Sequence, residues 1–153
     1  MIGQIKIDGF TDLLQKTKKL SQDLQDETRT VITTEAQNLA SRMKFRAPRD
    51  EGNLAEAIES KVWKLKTGVV GAVAGITHEA FMRHPEFKGR IKRPHGKHRD
   101  YYYPASQEYG WTAFGKHYPG HPYIRPSWDE RKLIIQSRIR YTLKRVIETV
   151  KPI

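Results

Sequence analysis

Histidine spacing offers the first candidate chemistry in this sequence, a transition-metal site. Two pairs have spacings that one metal ion could use: His95 with His98, and His117 with His121. Both pairs lie among glycine, proline and cationic residues, and the chain has no cysteine that could add a thiolate ligand. The carboxylates that could complete a site are Asp100 and Glu108. Because neighbouring cations repel a metal ion, we predict no metal centre and no cofactor.

Paired carboxylates are a second candidate, since a Mg²⁺-dependent nuclease needs them to hold its metal ion. The neighbouring acids are Asp50 with Glu51, and Asp129 with Glu130. The first pair lies in a predicted turn. The second lies in the first turn of a predicted helix, where the helix dipole favours acidic residues without any catalytic role. The chain also lacks a P-loop, a dinucleotide fingerprint and a Ser-His-Asp pattern. We therefore predict that the protein is not an enzyme.

A basic stretch over residues 83–99 is the best candidate for a binding surface. It holds seven Lys and Arg residues against one Glu, a charge of +6 in a chain whose net charge is +11. These cations would bind DNA phosphates through counterion release, without reading bases. An acidic protein surface would be an equally suitable partner, so both alternatives stay open. The predicted contact residues are Arg83, Lys88, Arg90, Lys92, Arg93, Lys97 and Arg99.

The composition indicates one ordinary domain of 153 residues. Hydrophobic residues make up only 37% of the chain, but three Trp, seven Tyr and five Phe are enough to form a core. The absence of cysteine excludes disulfides and fits a reducing cytoplasm. No signal peptide is evident, and no segment approaches the roughly 20 apolar residues of a membrane span. We predict a single α+β domain over residues 1–153 with no membrane partner.

Helical periodicity dominates both ends of the chain. Apolar residues recur at helical spacing through residues 10–47, without Gly or Pro from Phe10 to Ala47. One helix of that length would span about 55 Å, so we predict a break near residues 22–27, with the first piece free to contact another subunit. A second helix is predicted over residues 126–150, packed across the sheet. Its apolar face would contain Trp128, Ile135, Ile139, Leu143 and Val146.

Between these helices the pattern predicts a small antiparallel sheet of three to four strands within residues 61–124. Alternation in its first strand places Trp63 and Leu65 on the buried face. Pro104 favours an edge position for the third strand. The basic stretch belongs to a predicted surface loop at residues 77–100, and a second loop is predicted at residues 110–121. The predicted strands cover residues 61–67, 69–76, 101–109 and, as a short last strand, 122–124.

Three short motifs connect the predicted elements. A turn follows the first helix, a strand ends in Glu-Tyr-Gly, and two prolines four residues apart precede the last helix. Because proline locks φ and disfavours helix in the residue before it, the last motif predicts an extended segment. The helix would then begin at Pro126 or Ser127. The motif residues are Gly52, Asn53, Leu54, Glu108, Tyr109, Gly110, Pro122, Arg125 and Pro126.

Two of these motifs carry opposite charges that suit an ion pair. Glu108 and Arg125 are predicted to hold the third strand against the last helix. Such a pair would contribute less than about 1 kcal/mol if exposed, whereas breaking a buried pair costs about 3–5 kcal/mol.

In order and spacing, the motifs resemble a family of small neck and tail-completion proteins of long-tailed bacteriophages. The shared features are Gly-Asn-Leu at residues 52–54, Glu-Tyr-Gly at 108–110 and Pro-Tyr-Ile-Arg-Pro at 122–126. The resemblance covers about Phe10 to Val150. This sequence departs from the family in its longer, more basic segment at 77–100 and in Trp111, where the family tends to have Thr.

The resemblance implies a structural protein of the virion neck or upper tail, made in the host cytoplasm. Members of the family form rings, commonly six-fold, that join the connector to the tail tube. The implied partners are further copies of this chain, the connector, tail-tube or tail-terminator proteins, and DNA in the lumen. The two predicted loops would then become ordered on docking. The alternative is a non-enzymatic DNA-binding accessory protein that uses the basic loop and the C-terminal helix.

Overall fold

The computed structural model describes residues 10–49, 53–65, 69–92 and 98–149. It confirms the α+β class, with a long N-terminal helix, small antiparallel sheets and a C-terminal helix. The helices are α1 (Phe10–Arg46), α2 (Asn53–Ala57), α3 (His78–Arg83), α4 (Tyr103–Tyr109) and α5 (Ile124–Thr149). The strands are β1 (Glu59–Lys64), β2 (Val70–Gly75), β3 (Lys88–Lys92), β4 (His98–Tyr102), β5 (Trp111–Ala113) and β6 (Lys116–Tyr118).

Helix α1 is continuous over 37 residues, so the predicted break near residues 22–27 is wrong. That segment contains neither Gly nor Pro, and nothing in its backbone requires an interruption. Instead of breaking, α1 is supported from the side by α5, which runs antiparallel to it. Near the start of α5, Glu130 pairs with Arg42 of α1. Near the end of α5, Arg145 pairs with Glu27 of α1.

Within the described residues the strands form three separate two-stranded ribbons, β1–β2, β3–β4 and β5–β6, and not the single predicted sheet of three to four strands. The predicted packing of the C-terminal helix across the sheet is also wrong, because α5 lies along α1 and it is α1 that covers β1–β2. One face of the β1–β2 ribbon is covered by α1, and the other is exposed to solvent.

The β1–β2 ribbon turns Trp63 and Leu65 outward, against the prediction that they are buried. Both side chains are about half exposed, at 45% and 52%. The register pairs Trp63 with Gly71, on the face opposite to Ala74, which packs against the core. The Trp63 ring lies so close to Gly71 that a Cβ there would be 2.5 Å from it. The small side chains of β2 allow α1 to pack closely against the ribbon.

The segment predicted as a basic loop at residues 77–100 contains α3, a 3-10 turn at Pro85–Phe87, and the antiparallel ribbon β3–β4. Thr77 begins this structure, because its hydroxyl accepts a hydrogen bond from the Ala80 amide as the N-cap of α3. The Glu59 carboxylate accepts hydrogen bonds from Thr77 and from Arg83, at 2.7 Å for Arg83, and so ties β1 to both ends of α3.

Residues 101–109 are not one strand as predicted. Strand β4 ends at Tyr102, and α4 starts at Tyr103 with Pro104 in its first turn, where a missing N–H is tolerated. The predicted strand at 122–124 is likewise absent: residues 121–123 are irregular and α5 begins at Ile124. The aromatic residues around position 102 favour strands in general, but Pro104 favours the first turn of a helix.

The predicted loop at 110–121 contains the tight hairpin β5–β6. Its two-residue turn consists of Phe114 and Gly115, with φ values of 50° and 74°. Positive φ at both central positions is the pattern of a type I′ turn, which favours Asn or Gly at the first position. A phenylalanine in this conformation costs roughly 1–2 kcal/mol relative to the right-handed region.

The core lies where α1, α2 and the start of α5 meet. It combines the last turns of α1 with Leu54 of the predicted Gly52–Leu54 motif, and Leu54 is 2% exposed. Asn53 begins α2, whereas Gly52 lies outside the described residues. In the described part of the chain, no helix is both long and apolar enough to cross a membrane. The buried core residues are Leu39, Ala40, Met43, Ala47, Leu54, Ala57, Ile58, Phe87 and Tyr123.

Candidate assembly interface

Glu108 organises the junction between α4 and α5. Its side chain is 1% exposed. Oε2 accepts hydrogen bonds from the backbone N–H groups of Tyr123 and Ile124, both at 2.8 Å, and Oε1 accepts one from the Arg125 amide at 3.0 Å. Burial alone would raise the pKa of Glu108, but these backbone hydrogen bonds, with one from the Arg125 side chain, outweigh it and lower the pKa. The carboxylate therefore caps the first turn of α5.

The Pro122–Pro126 motif completes this cap. An α-helix leaves its first backbone N–H groups without helical partners; Glu108 satisfies those at residues 123–125, and Pro126 has no N–H. The Ser127 hydroxyl donates to the Tyr123 carbonyl at 2.6 Å. Capping from another helix explains why α5 begins at Ile124, two residues before the predicted start.

The predicted ion pair between Glu108 and Arg125 is present, but it is secondary. The Arg125 Nε lies 3.2 Å from Glu108 Oε1, and the arginine side chain is 61% exposed. Its guanidinium also lies over the Tyr109 ring, 4.9 Å from the centroid. Glu108 and Tyr109 belong to a helix, so the pair joins two helices and not a strand to a helix.

Gly110 and Gly120 fix the base of the β5–β6 hairpin. Gly110 has φ of 75°, and its amide donates to the Ser106 carbonyl at 2.8 Å. A Cβ on Gly110 would lie 2.6 Å from the Tyr118 carbonyl oxygen, and one on Gly120 would lie 2.5 Å from the Gly110 nitrogen. Because the two backbones cross this closely, the hairpin is held against the end of α4.

A seam of ion pairs joins α1 to α5, and sequence reasoning missed it. Glu35 has a side chain only 3% exposed and accepts hydrogen bonds from Arg138 and, at 2.7 Å, from Arg131. Burial would raise the pKa of Glu35, but the two arginines hold it below its usual value. No local pattern could reveal this site, because Glu35 lies 96 and 103 positions from its partners.

The same seam of ion pairs includes Glu130, one of the carboxylates considered above as a magnesium ligand. Glu130 pairs with Arg42 at 2.5 Å and with Arg46 at 2.8 Å, and the hydrogen bond from Arg46 is the main cause of its lowered pKa. Asp129 pairs with Lys132 at 2.6 Å. Asp50 and Glu51 lie outside the described residues.

The structure describes three of the four histidines in the candidate pairs. His98 lies in β4, and His117 lies in β6 near the Thr112 hydroxyl, with Thr112 Oγ1 3.3 Å from His117 Nδ1. His95 is outside the described residues, and His121 is exposed in the segment before α5. Across the described ranges, no group of three His, Cys, Asp or Glu residues could hold a metal ion.

The predicted cationic contact residues lie along α3 and the β3–β4 ribbon. Arg83 is bound to Glu59, and the Lys88 ammonium lies 4.5 Å from the centroid of the Phe81 ring. In the ribbon register, Arg90 is opposite Asp100. Lys92 and Arg99 also belong to the ribbon, whereas Arg93 and Lys97 lie outside the described residues. The described positive residues therefore lie on α3 and on the β3–β4 ribbon.

Among the described residues, large apolar side chains are exposed on several elements. The predicted apolar face of α5 is only partly covered, and Trp128, at its start, is 46% exposed. Scattered exposed apolar residues are normal, but clusters of them mark interaction sites. The exposed residues include Trp63, Leu65, Val69 and Val73 at the β1–β2 ribbon; Trp128, Leu133, Ile134, Tyr141 and Ile147 on α5; and Trp111 and Phe114 on the β5–β6 hairpin.

Comparison with known proteins gives one family. The sequence model of the HK97-gp10-like family, described as "Bacteriophage HK97-gp10, putative tail-component", matches residues 11–87, about half of the chain. The match covers α1, the β1–β2 ribbon and α3. No curated protein and no solved structure matches the chain significantly.

Proposed function

Because this chain belongs to the HK97-gp10-like family of bacteriophage proteins, we propose that it is a structural tail component that forms a ring at the head–tail junction. In this role the ring, with six copies as the expected number, joins the connector on one side to the tail tube or tail-terminator protein on the other. The protein is then part of the virion, in the neck or upper tail.

The observation that carries this proposal is the amount of apolar surface left open on a weakly apolar chain. Leu133 and Tyr141 on α5 are 70% and 69% exposed, and Trp63 on the β1–β2 ribbon is 45% exposed. A subunit whose exposed apolar faces lie on different elements can contact a different neighbour with each. Contacts between two different faces close into a ring when the rotation permits.

The length of α1 supports the same proposal. Its pairing with α5 is seen from Arg46, beside Glu130, to Glu27, beside Arg145. The side chains at residues 15–19, nearer the start of α1, are exposed. An isolated helical segment of this length is marginal in water without tertiary packing, so we propose that this end of α1 packs against another subunit or an adjacent ring.

The basic β3–β4 ribbon has two candidate partners in this assembly, DNA passing through the lumen and an acidic rim on the next ring. Arg83 and Lys88 already have partners within the subunit. We therefore propose that the ribbon contributes a general positive field that steers an acidic partner, and that Arg90, Lys92, Arg93, Lys97 and Arg99 make the contacts.

We also propose that the protein performs no catalysis. Glu130 and Asp129 are held in ion pairs with arginine and lysine, which removes them from the free carboxylates that a metal-dependent nuclease would need.

A phage that cannot make this protein provides the direct test of function. We expect filled heads and separate tails to accumulate, and purified protein added to that lysate to restore joined particles. Normal particles without the protein would contradict the proposal.

The alternative, a DNA-binding accessory protein, rests on the charge of +6 over residues 83–99. It predicts nanomolar to micromolar affinity for duplex DNA with a steep salt dependence, whereas a ring subunit should bind free DNA only weakly. Titration of labelled DNA at two salt concentrations separates the two functions.

A further inference from the structure

Phe114 combines two unfavourable features in the isolated subunit. It occupies a left-handed conformation at the first central position of a tight turn, where Asn or Gly is preferred. Its aromatic ring is also 80% exposed, the largest exposed fraction among the exposed large apolar residues described. The hairpin below it is rigid, because Trp111 stacks on Tyr118 at 4.3 Å between ring centroids and Gly110 crosses Gly120. A rigid hairpin thus presents an aromatic side chain at its tip.

A groove that could receive this side chain lies between α1 and α5. It has a volume of about 430 Å³ and is lined by Val31, Tyr141, three threonines, Ser137 and the Glu35–Arg138 ion pair. A second cavity of about 520 Å³, which shares Thr30 with the first, continues the groove toward Asp23, Asp26 and Glu27. The groove therefore has a section where Val31 and Tyr141 offer apolar contact, and an acidic end.

The acidic end matches the charge of the hairpin. Lys116 follows Phe114 by two positions and is exposed on the same hairpin, with its ammonium 5.6 Å from the centroid of the Tyr118 ring. Glu27 is bound to Arg145, but within the described residues neither Asp23 nor Asp26 forms an ion pair. At 1.5 Å per residue, Asp26 lies about 7.5 Å from Val31 along α1, a distance within reach of a lysine side chain beside an inserted phenylalanine.

The hairpin cannot fill the groove of its own subunit. The hairpin adjoins the start of α5 at Ile124, whereas the groove begins near Ser137. Thirteen residues of helix separate them by about 20 Å. Anchor and groove thus belong to different ends of one helix, which is the arrangement of a head-to-tail contact between two copies.

We propose that the β5–β6 hairpin of one copy docks into the α1–α5 groove of the next, with Phe114 between Val31 and Tyr141, and Lys116 facing Asp23 and Asp26. This inference rests on the proposed ring and assigns its subunit contact. A central aromatic anchor with surrounding charges is the usual anatomy of such a contact, in which the anchor carries most of the affinity and the charges guide the approach.

Engineered thiols test the contact directly, because the chain has no cysteine. Full-length Phe114→Cys protein is mixed with Thr34→Cys protein under mild oxidation, and covalent heterodimers are quantified by mass. Lys44→Cys, also exposed on α1 but outside the groove, is the matched control. We expect the groove pair to form at least ten times more heterodimer than the control pair. Equal yields, or none from the groove pair, would overturn the proposal.

A second variant separates docking from folding. Phe114→Asn supplies a residue that the turn prefers, so we expect it to raise the melting temperature of the monomer by about 2–4 °C. It should weaken self-association roughly 30-fold or more, the loss typical of a removed anchor. Undiminished association would overturn the proposal. Weaker association together with a lower melting temperature would also overturn it, by assigning Phe114 a structural role.

The failure of this inference is distinguishable from failure of the proposed function. The docking would be overturned if the wild-type protein stays monomeric, or if it needs Phe114 only to bind a DNA oligonucleotide. Neither result bears on whether the protein is present in the virion, which is measured separately. Absence from the virion, with docking intact, would overturn the function alone.

Discussion

Glu108 binds both the backbone and the side chain of Arg125: one carboxylate oxygen lies 3.0 Å from the Arg125 amide nitrogen and 3.2 Å from the Arg125 Nε. The same carboxylate accepts hydrogen bonds from the backbone amides of Tyr123 and Ile124. Its essential property is therefore acceptance of backbone hydrogen bonds at the start of a helix, to which the negative charge adds because of the helix dipole. This relationship connects two of the three motifs noted in the sequence.

Replacement of Glu108 should consequently destabilise the protein far more than replacement of its charged partner. We expect Glu108→Ala to lower the free energy of unfolding by about 2–4 kcal/mol, since three amides lose their acceptor. Arg125→Ala should cost less than about 1 kcal/mol, because that side chain is mostly exposed. Denaturant unfolding of both variants measures the difference.

The charge-swapped double variant Glu108→Arg with Arg125→Glu gives a sharper result. If the cap is the essential feature, the swap should be no more stable than Glu108→Ala, because arginine has no hydrogen-bond acceptor. Recovery of wild-type stability by the swap would instead show that the ion pair dominates.

Stability should fall in acid through two buried carboxylates. The folded-state pKa values of Glu35 and Glu108 are lowered from an unfolded value near 4.5. A lowered pKa contributes stability that is fully present above about pH 4.5 and is lost as the pH falls toward the folded value. Unfolding free energies measured from pH 6 to pH 3 should decrease steeply. The double variant Glu35→Gln, Glu108→Gln should be less stable at pH 6 and show a flatter dependence; an unchanged slope would count against these two groups.

Glu35 should matter more than another glutamate of the same helix. It is buried and bound to two arginines, so we expect Glu35→Ala to cost about 3–5 kcal/mol by leaving the largely buried Arg131 without its carboxylate partner. Glu27 pairs with Arg145, but both are about half exposed, and Glu27→Ala should cost less than about 1 kcal/mol. Similar losses for the two variants, measured by thermal or denaturant unfolding, would contradict a buried seam between α1 and α5.

The hairpin glycines should differ in their tolerance of a methyl group. Gly110 and Gly115 share nearly the same positive φ, but only Gly110 has backbone atoms in the way of a Cβ. Gly110→Ala should therefore be more destabilising than Gly115→Ala by about 1–3 kcal/mol, the usual effect of overpacking. Equal melting temperatures of the two variants would mean that the backbone crossing at Gly120 relaxes easily.

The sequence predicts some elements of this fold well, because they depend on local periodicity. Regions 10–47 and 126–150 correspond to α1 and α5 within a few residues, and the first two predicted strands correspond to β1 and β2. The faces were harder to predict. Hydrophobicity alone predicts that Trp63 is buried, yet α1 covers the opposite face of the ribbon, and no local pattern specifies where a distant helix packs.

The elements missed between residues 77 and 120 share a physical reason. An isolated two-stranded ribbon such as β3–β4 need not alternate apolar and polar residues as a half-buried sheet does, so its sequence resembles a loop. Helix α4 follows two tyrosines that favour strands, and only Pro104 at its start suggests the helix. The type I′ turn went unrecognised because phenylalanine occupies the position where Asn is usual.

Electron microscopy of purified phage particles tests the central proposal most directly, because it shows where this chain is and how its copies contact each other. The account predicts a ring of this protein between the connector and the tail tube, with the β5–β6 hairpin of each copy reaching the α1–α5 groove of its neighbour. Density for the neck and tail fully explained by other proteins would contradict it.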